Sequence, residues 1–291
     1  MAVQGLVPVL GVTDLDRSLD LYCGVLGLRQ AAAERGDDGA GERRVLWSHG
    51  RQVVLEVVAD PGDRGWLQDD LQVGMRHVAF RVDDVDRWAG RVRQAGMRFT
   101  MEPREAMGRV RICFFLDPDG AQVELVQRHV RYSRPGSGAL IRAERAEPVP
   151  AAPRFDHVAV SVADRERSLA FYGQGVGAEL IGELDAPDDP RGFRIAYLQV
   201  GNAVLEVFSY SLPMLPGAHR PGRPGAGLGR IAVQPGETPE TVLEALLRAG
   251  ALPVETPGDA GPRTVLDPDG TPLEVRALGG AGAIAAPQIV D

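Results

Sequence analysis

The sequence predicts an α+β protein built from four copies of one small βαβββ unit, and three observations carry that reading. The first is a repeat: VTDLDRSLDLYCGVLG (12–27) aligns with VADRERSLAFYGQGVG (162–177), placing Asp14 on Asp164, Ser18 on Ser168 and Tyr22 on Tyr172, 150 positions apart. The second is that the same offset carries VVLEVV (53–58) onto AVLEVF (203–208) and LDPDG (116–120) onto LDPDG (266–270). The third is that each half divides again. A strand, a helix and three strands read from about 5–60 and again from 75–128, then from 155–210 and 226–277. A fixed internal period outranks any local motif, because missing it misassigns the whole architecture.

The third unit shows how the elements are read. FDHVAVSV alternates, with Val158, Val160 and Val162 on one face and His157, Ala159 and Ser161 on the other, as a half-buried strand does. A helix follows from about Arg165, where Leu169, Tyr172 and Val176 are spaced for one buried stripe. FRIAYLQV and AVLEVF then flank Gly201-Asn202, a hairpin turn signal. In the fourth unit Thr238-Pro239 places a capping side chain before a proline at the first helical position, and Gly250 closes that helix. The two D-P-D-G sequences are tight turns into each half's last strand. Residues 1–130 thus form one domain, 131–154 (rich in Pro, Ala and Arg) a linker, 155–277 a second domain and 278–291 a Gly/Ala-rich flexible tail.

Composition narrows the class. The 291 residues carry a net charge of -8 with 44% hydrophobic residues, as in an ordinary soluble protein. No apolar run reaches the roughly 18 residues that span a bilayer, and the N-terminus lacks a basic leader, so a cytoplasmic protein without a membrane partner is expected. The acidic balance, with no basic run, argues against nucleic acid. All 32 basic residues are arginine, which excludes lysine Schiff-base chemistry. Cys23 and Cys113 fall in a helical pattern and a strand, and both read as core fillers.

Candidate chemistry lies in polar residues that face away from the apolar side of their strands. Glu124 and Glu206 sit between apolar neighbours (Val123 and Leu125; Leu205 and Val207), and so point to the opposite, concave face. Glu56 and Glu274 do the same, and the first strands RHVAFRV and DHVAVSV add His77 and His157 to that face. A carboxylate placed there is costly unless it is paired or ligates metal. Arg81, Gln122 and Phe208 are candidate pocket-lining residues; His49 and His129 read as solvated, and His219 as part of a Pro/Gly-rich surface loop.

With its D-x-x-x-S-x-x-x-Y runs, H-V-A-x-x-V strands and D-P-D-G-x-x-x-E endings, the sequence resembles the vicinal oxygen chelate superfamily: glyoxalase I, methylmalonyl-CoA epimerase, extradiol dioxygenases and drug-resistance proteins. The resemblance covers all but the linker and tail. It implies two tandem glyoxalase-like domains whose units pair into open, U-shaped barrel sheets. It also implies one divalent metal (Ni, Zn, Co, Mn or Fe(II)) held by first-strand His and last-strand Glu of paired units. Carried over residue by residue, unit one has Val7 with Glu56, unit two His77 with Glu124, unit three His157 with Glu206, and unit four Arg230 with Glu274. Valine and arginine do not ligate metal. Pairing one with two and three with four leaves each site incomplete. The crossed pairing, two with three and one with four, collects His77, Glu124, His157 and Glu206 in a single site and leaves Arg230 to neutralise Glu56 and Glu274.

The expected activity is that of a lyase, isomerase or epimerase in which the metal binds vicinal oxygens of a small-molecule substrate and Glu124 or Glu206 is the general base. An Fe(II) ring-cleaving dioxygenase and a metal-free drug-binding protein are the alternatives, each as a monomer or homodimer.

Overall fold

The computed structural model describes residues 3–31, 42–59, 65–218, 225–254 and 263–276, so His219 and the tail expected at 278–291 lie outside the described residues. Four βαβββ units follow one another. Unit one comprises β1 (Val3–Val12), α1 (Leu15–Leu19), β2 (Arg29–Gln30), β3 (Arg43–Ser48) and β4 (Arg51–Val57). Unit two comprises β5 (Gly74–Arg81), α2 (Val85–Gln94), β6 (Arg98–Glu105), β7 (Arg111–Leu116) and β8 (Gln122–Gln127). The connecting segment carries β9 (Arg134–Pro135) and α3 (Gly138–Ala146). Unit three follows with β10 (Arg154–Ser161), α4 (Arg165–Val176), β11 (Glu179–Asp185), β12 (Arg194–Val200) and β13 (Ala203–Ser209). Unit four has β14 (Gly227–Pro235), α5 (Pro239–Arg248), β15 (Leu252–Pro253), β16 (Arg263–Leu266) and β17 (Pro272–Val275).

The helix signals read in sequence are present as side-chain caps. Asp14, Asp84 and Asp164 each accept a hydrogen bond from the backbone N–H three residues on, and Thr238 does so for α5, with Pro239 at its start. α4 runs twelve residues and ends at left-handed Gly177. Its counterpart α1 passes after five residues into a π-helical stretch, Asp20–Val25.

Two open mixed sheets result, and each draws on both halves of the chain. One has eight strands in the order β15-β16-β17-β14-β1-β4-β3-β2; the other has nine, ordered β6-β7-β8-β5-β10-β13-β12-β11-β9. At the centre of the second, β5 of unit two runs antiparallel to β10 of unit three, and at the centre of the first, β1 pairs with β14 of unit four. The pairing is the crossed one. The faces bearing Leu6, Leu10, Val78, Phe80, Val158, Val160, Leu205 and Ile231 share one core with Tyr22, Trp88, Phe171 and Leu246 of the helices. Alternation then leaves the other face of each strand for the concave trough.

The halves are also tied internally, and the repeated motifs do this. Tyr22 donates its hydroxyl to Asp117 (3.0 Å) and Tyr172 to Asp267 (2.6 Å); Ser18 donates to Asp119 and Ser168 to Asp269. The D-P-D-G turn of one unit is thus pinned to the helix of its sequence neighbour, while the sheets join units from different halves. Contact between the sheets is close at left-handed Gly201, where a Cβ would meet the carbonyl oxygen of Gln4 on β1 at 2.2 Å.

The segment 131–154, read from its composition as a linker, folds against both halves. Ser137 caps α3, Ile141 is buried among Val126, Ala159, Ile181, Tyr197 and Phe208 of the trough, and Tyr132 donates to Glu144. His129, expected in solvent, is instead half-buried beneath α3, with Nδ1 3.8 Å from Glu144; burial, then the neighbouring Arg81 charge, lowers its pKa. Cys113 is fully buried and Cys23 packs at the core edge, and burial raises both thiols, consistent with their reading as core fillers.

Candidate metal centre

The nine-stranded sheet brings His77 of β5, His157 of β10, Glu124 of β8 and Glu206 of β13 to one point. In the central pairing His77 lies opposite Ala159 and His157 opposite Ala79, so the two imidazoles approach across small residues. Parallel neighbours then set Glu124 beside Ala79 and Glu206 beside Ala159. The two Nε2 atoms are 3.2 Å apart. Glu124 Oε2 lies 3.2 Å from His77 Nε2 and 3.1 Å from His157 Nε2; Glu206 Oε2 lies 3.2 and 3.3 Å from the same atoms. One donor from each residue falls within 4.8 Å of every other, and no residue is more than 5% exposed.

The donor set fits a divalent metal. Bonds of about 2.0–2.2 Å to imidazole and carboxylate place adjacent donors roughly 3 Å apart, as they are here. Two imidazoles and two carboxylates suit Ni, Zn, Co, Mn or Fe(II) without selecting among them. In the metal-free chain protons take part of that role. Burial works against charge on both imidazoles, but hydrogen bonds to Glu124 and Glu206 and their charges raise the pKa of His77, and the Glu206 charge with hydrogen bonds to Asp156, Glu124 and Glu206 raises that of His157 further. Burial likewise works against the Glu206 carboxylate, but the charge and hydrogen bond of His157, with those of His77, together outweigh it, holding that pKa well below the usual carboxylate range.

The walls are aromatic. Phe114, opposite Glu124, meets the His77 ring edge-on at 5.0 Å between centroids, and Phe208 lies 5.7 Å from it. Tyr197 stands opposite Glu206; burial and the Glu206 charge, with a hydrogen bond to it, keep the phenol protonated well above its ordinary range. Of the expected pocket residues, Phe208 adjoins the cluster. Gln122 is buried on the same face as Glu124 and accepts from Thr100 at 3.4 Å. Arg81 differs from the expectation: its guanidinium is engaged by Asp156 (2.8 and 3.1 Å) and the Arg128 carbonyl, so it braces the protein rather than offering a free cation.

In the eight-stranded sheet the equivalent trough holds no set of metal donors among the described residues. Arg230 bonds Glu56 (2.6 Å) and Glu274 (2.5 Å), as its position suggested, and a second arginine, Arg43, reaches the same pair at 2.6 and 3.3 Å. Val7, Val9, Val45, Val54 and Ala232 fill the rest.

Comparison with known proteins agrees with this architecture. The profile of the Glyoxalase/Bleomycin resistance protein/Dioxygenase superfamily matches residues 6–125 and 154–275. The chain belongs to that superfamily. It is 31% identical over 121 residues to a probable lactoylglutathione lyase of Synechocystis, an alignment taking in 41% of this chain and 91% of that protein. It is 26% identical over 181 residues to a lactoylglutathione lyase of Arabidopsis thaliana, across 62% of this chain and 56% of the relative. The fold is that of glyoxalase I from Zea mays, with a TM-score of 0.65, 24% identity, and coverage of 94% of this chain and 91% of the other.

The sequence did not reveal Asp156, Tyr197 or Arg43. Asp156 precedes a concave-facing residue, so strict alternation assigns it to the wrong face. Tyr197 had a usable signal, since it stands nine residues before Glu206 across a two-residue turn.

Proposed function

We propose that this chain is a metal-dependent lyase or isomerase of the glyoxalase type, with His77, Glu124, His157 and Glu206 as its ligands and Glu124 or Glu206 as general base. The observation that carries this reading is the meeting of four donors, from units in different halves of the chain, with both imidazoles 3.1–3.3 Å from each other and from both carboxylates in a buried trough. A divalent ion bound there supplies Lewis acidity toward two vicinal oxygens of a small substrate.

The protein's own groups do the rest. A carboxylate at this point takes a proton from the carbon beside the substrate carbonyl and returns it at the neighbouring carbon, which requires hydrogen-bond reach and a basicity matched to the task. Phe114 and Phe208 exclude water from that transfer, and Tyr197 holds Glu206 in place. The lactoylglutathione lyases among its relatives suggest the first compound to assay, lactoylglutathione.

Metal content per chain, measured by mass spectrometry on the wild type, His77→Ala and His157→Ala, tests the site. About one ion per chain, lost in both variants together with turnover, is expected. Two ions per wild-type chain, or none, overturns it, and none would favour a metal-free binding protein. Substrate-dependent oxygen uptake would move the chemistry to a dioxygenase.

A further inference from the structure

The two candidate ligand histidines differ in what stands behind them. Each is preceded by a residue left unmatched by the β5–β10 pairing: Met75 faces Val160 and His77 faces Ala159, so Arg76 is extra, while Phe155 faces Phe80 and His157 faces Ala79, so Asp156 is extra. Such a bulge re-aims the side chain it adds.

Arg76 turns away from the cluster. It donates to the Gln72 carbonyl and side chain (3.4 and 3.3 Å) and to the Leu67 carbonyl, and lies over the Trp66 ring at 4.8 Å. Asp156 turns toward it. Its Oδ2 is 3.1 Å from His157 Nδ1, the ring nitrogen opposite the one that meets Glu124 and Glu206. Arg81 grips both carboxylate oxygens, and is itself fixed by the Arg128 carbonyl and by Glu144 of α3 at 3.8 Å. All of these side chains are wholly or largely buried: Asp156 is 7% exposed and Arg81 5%.

From this geometry we infer that Asp156 is a positioning residue for the metal centre. It accepts the Nδ1 hydrogen of His157, which fixes the tautomer whose Nε2 lone pair faces Glu124 and Glu206, and Arg81 fixes Asp156. The inference rests on the metal reading above. A ligating imidazole commonly donates its second N–H to a carboxylate, which orients the ring and raises its basicity. Among the described residues that support falls on His157 alone, and it reaches through Arg81 to the segment joining the two halves.

The test is Zn²⁺ affinity, measured by competition with a chromophoric chelator on the full chain, for Asp156→Ala and Asp156→Asn. Loss of the acceptor is expected to weaken binding about 10- to 100-fold in Asp156→Ala, with stoichiometry unchanged. Asp156→Asn keeps an acceptor oxygen and lies between the wild type and Asp156→Ala. Ring ¹⁵N shifts of His157 in the metal-free chain, recorded at a pH above its raised imidazole pKa so that the ring is neutral, then show a single Nδ1–H tautomer in the wild type and a tautomer mixture in Asp156→Ala. A role confined to the Arg81 ion pair would lower the metal-free melting temperature of both variants alike and leave affinity within about twofold of wild type; that outcome overturns the inference. A wild type that binds no Zn²⁺ overturns the metal reading itself, and this inference with it.

Discussion

The two troughs of this molecule share one backbone plan and differ in what neutralises their glutamates. In the nine-stranded sheet Glu124 and Glu206 meet two imidazoles; in the eight-stranded sheet Glu56 and Glu274 both meet the guanidiniums of Arg43 and Arg230, and Glu274 also meets that of Arg276. The substitutions are position for position. Arg230 stands where unit two has His77, Val7 where unit three has His157, and Arg43, opposite Glu56, where Tyr197 is opposite Glu206. An imidazole has a lone pair once it loses its proton, so it can exchange that proton for a metal. A guanidinium has none and carries its charge permanently. Arginines therefore satisfy the two carboxylates without an ion. The same scaffold holds a cluster that could bind a metal and a cluster of ion pairs, and the two differ at the glutamates in the side chains of Val7, Arg43 and Arg230.

The strongest way to break that comparison is to convert one trough into the other. Val7→His, Arg43→Tyr and Arg230→His together restore the complete donor set beside Glu56 and Glu274. Metal per chain is expected to rise from about one to about two, read by mass spectrometry on protein whose circular dichroism matches the wild type. If the count stays at one, these three positions do not account for the difference.

Next in size is the cost of taking one charge from the inert trough. Removing one partner of a buried ion pair costs about 3–5 kcal/mol, because an uncompensated charge remains. Among the described residues Arg230→Met leaves Arg43 as the one cation at Glu56, with Arg276 remaining beside Glu274 at 3.4 Å, so a loss near 3 kcal/mol, the low end of that range, is expected from urea unfolding. Metal content at the other trough should stay at the wild-type level. A change there would mean that the troughs are coupled through the shared core.

What the sequence disclosed of these sites follows from how each residue is placed. His77, His157 and the four glutamates lie on regular strands, where a period of two assigns a face, and the repeat assigns equivalent positions. The crossed pairing followed because only that pairing completes a site. Asp156 escaped because a bulge breaks the alternation on which the reading depends. Arg43 escaped for another reason. The β3–β4 hairpin turns at His49-Gly50, so Glu56 is the sixth residue after the turn, whereas Glu206 is the fourth after Gly201-Asn202. The offset of 150 therefore lands on Phe193 rather than on Tyr197, the residue that Arg43 replaces. In the connecting segment the Pro and Arg content drew the reading to a linker. Its apolar pair Leu140-Ile141, which docks α3 against the trough, was the signal left unused.

Proton competition separates the troughs more gently. Both histidine pKa values are raised above the ordinary imidazole value of 6.5, so below that range metal must displace protons from His77 and His157. Affinity should therefore rise with pH from about 6 upward, by roughly tenfold per unit for each proton displaced. In the metal-free chain the sign is opposite. A raised histidine pKa stabilises the fold most at low pH, and that contribution is lost as pH rises through the folded value. The gap in melting temperature between metal-loaded and metal-free protein should thus widen with increasing pH. A gap that narrows would contradict imidazole ligation.

The smallest expected effect concerns a feature in which the two halves agree, the hydroxyl bond from each helix to its D-P-D-G turn. Burial raises the Asp117 pKa to about 6, and the Tyr22 hydroxyl opposes that rise by donating to the ionised carboxylate. Without Tyr22 the folded pKa of Asp117 goes higher still. A raised pKa favours the fold at low pH and loses its contribution as pH climbs through the folded value, so the lost donor matters most once Asp117 is ionised. Tyr22→Phe should cost about 1 kcal/mol above pH 7, where the carboxylate is left with only the backbone N–H groups of Asp119 and Ala121. The cost should shrink below pH 6. Tyr172→Phe, beside Asp267, should show the same trend. A cost that is flat with pH in both variants would assign these tyrosines to ring packing alone.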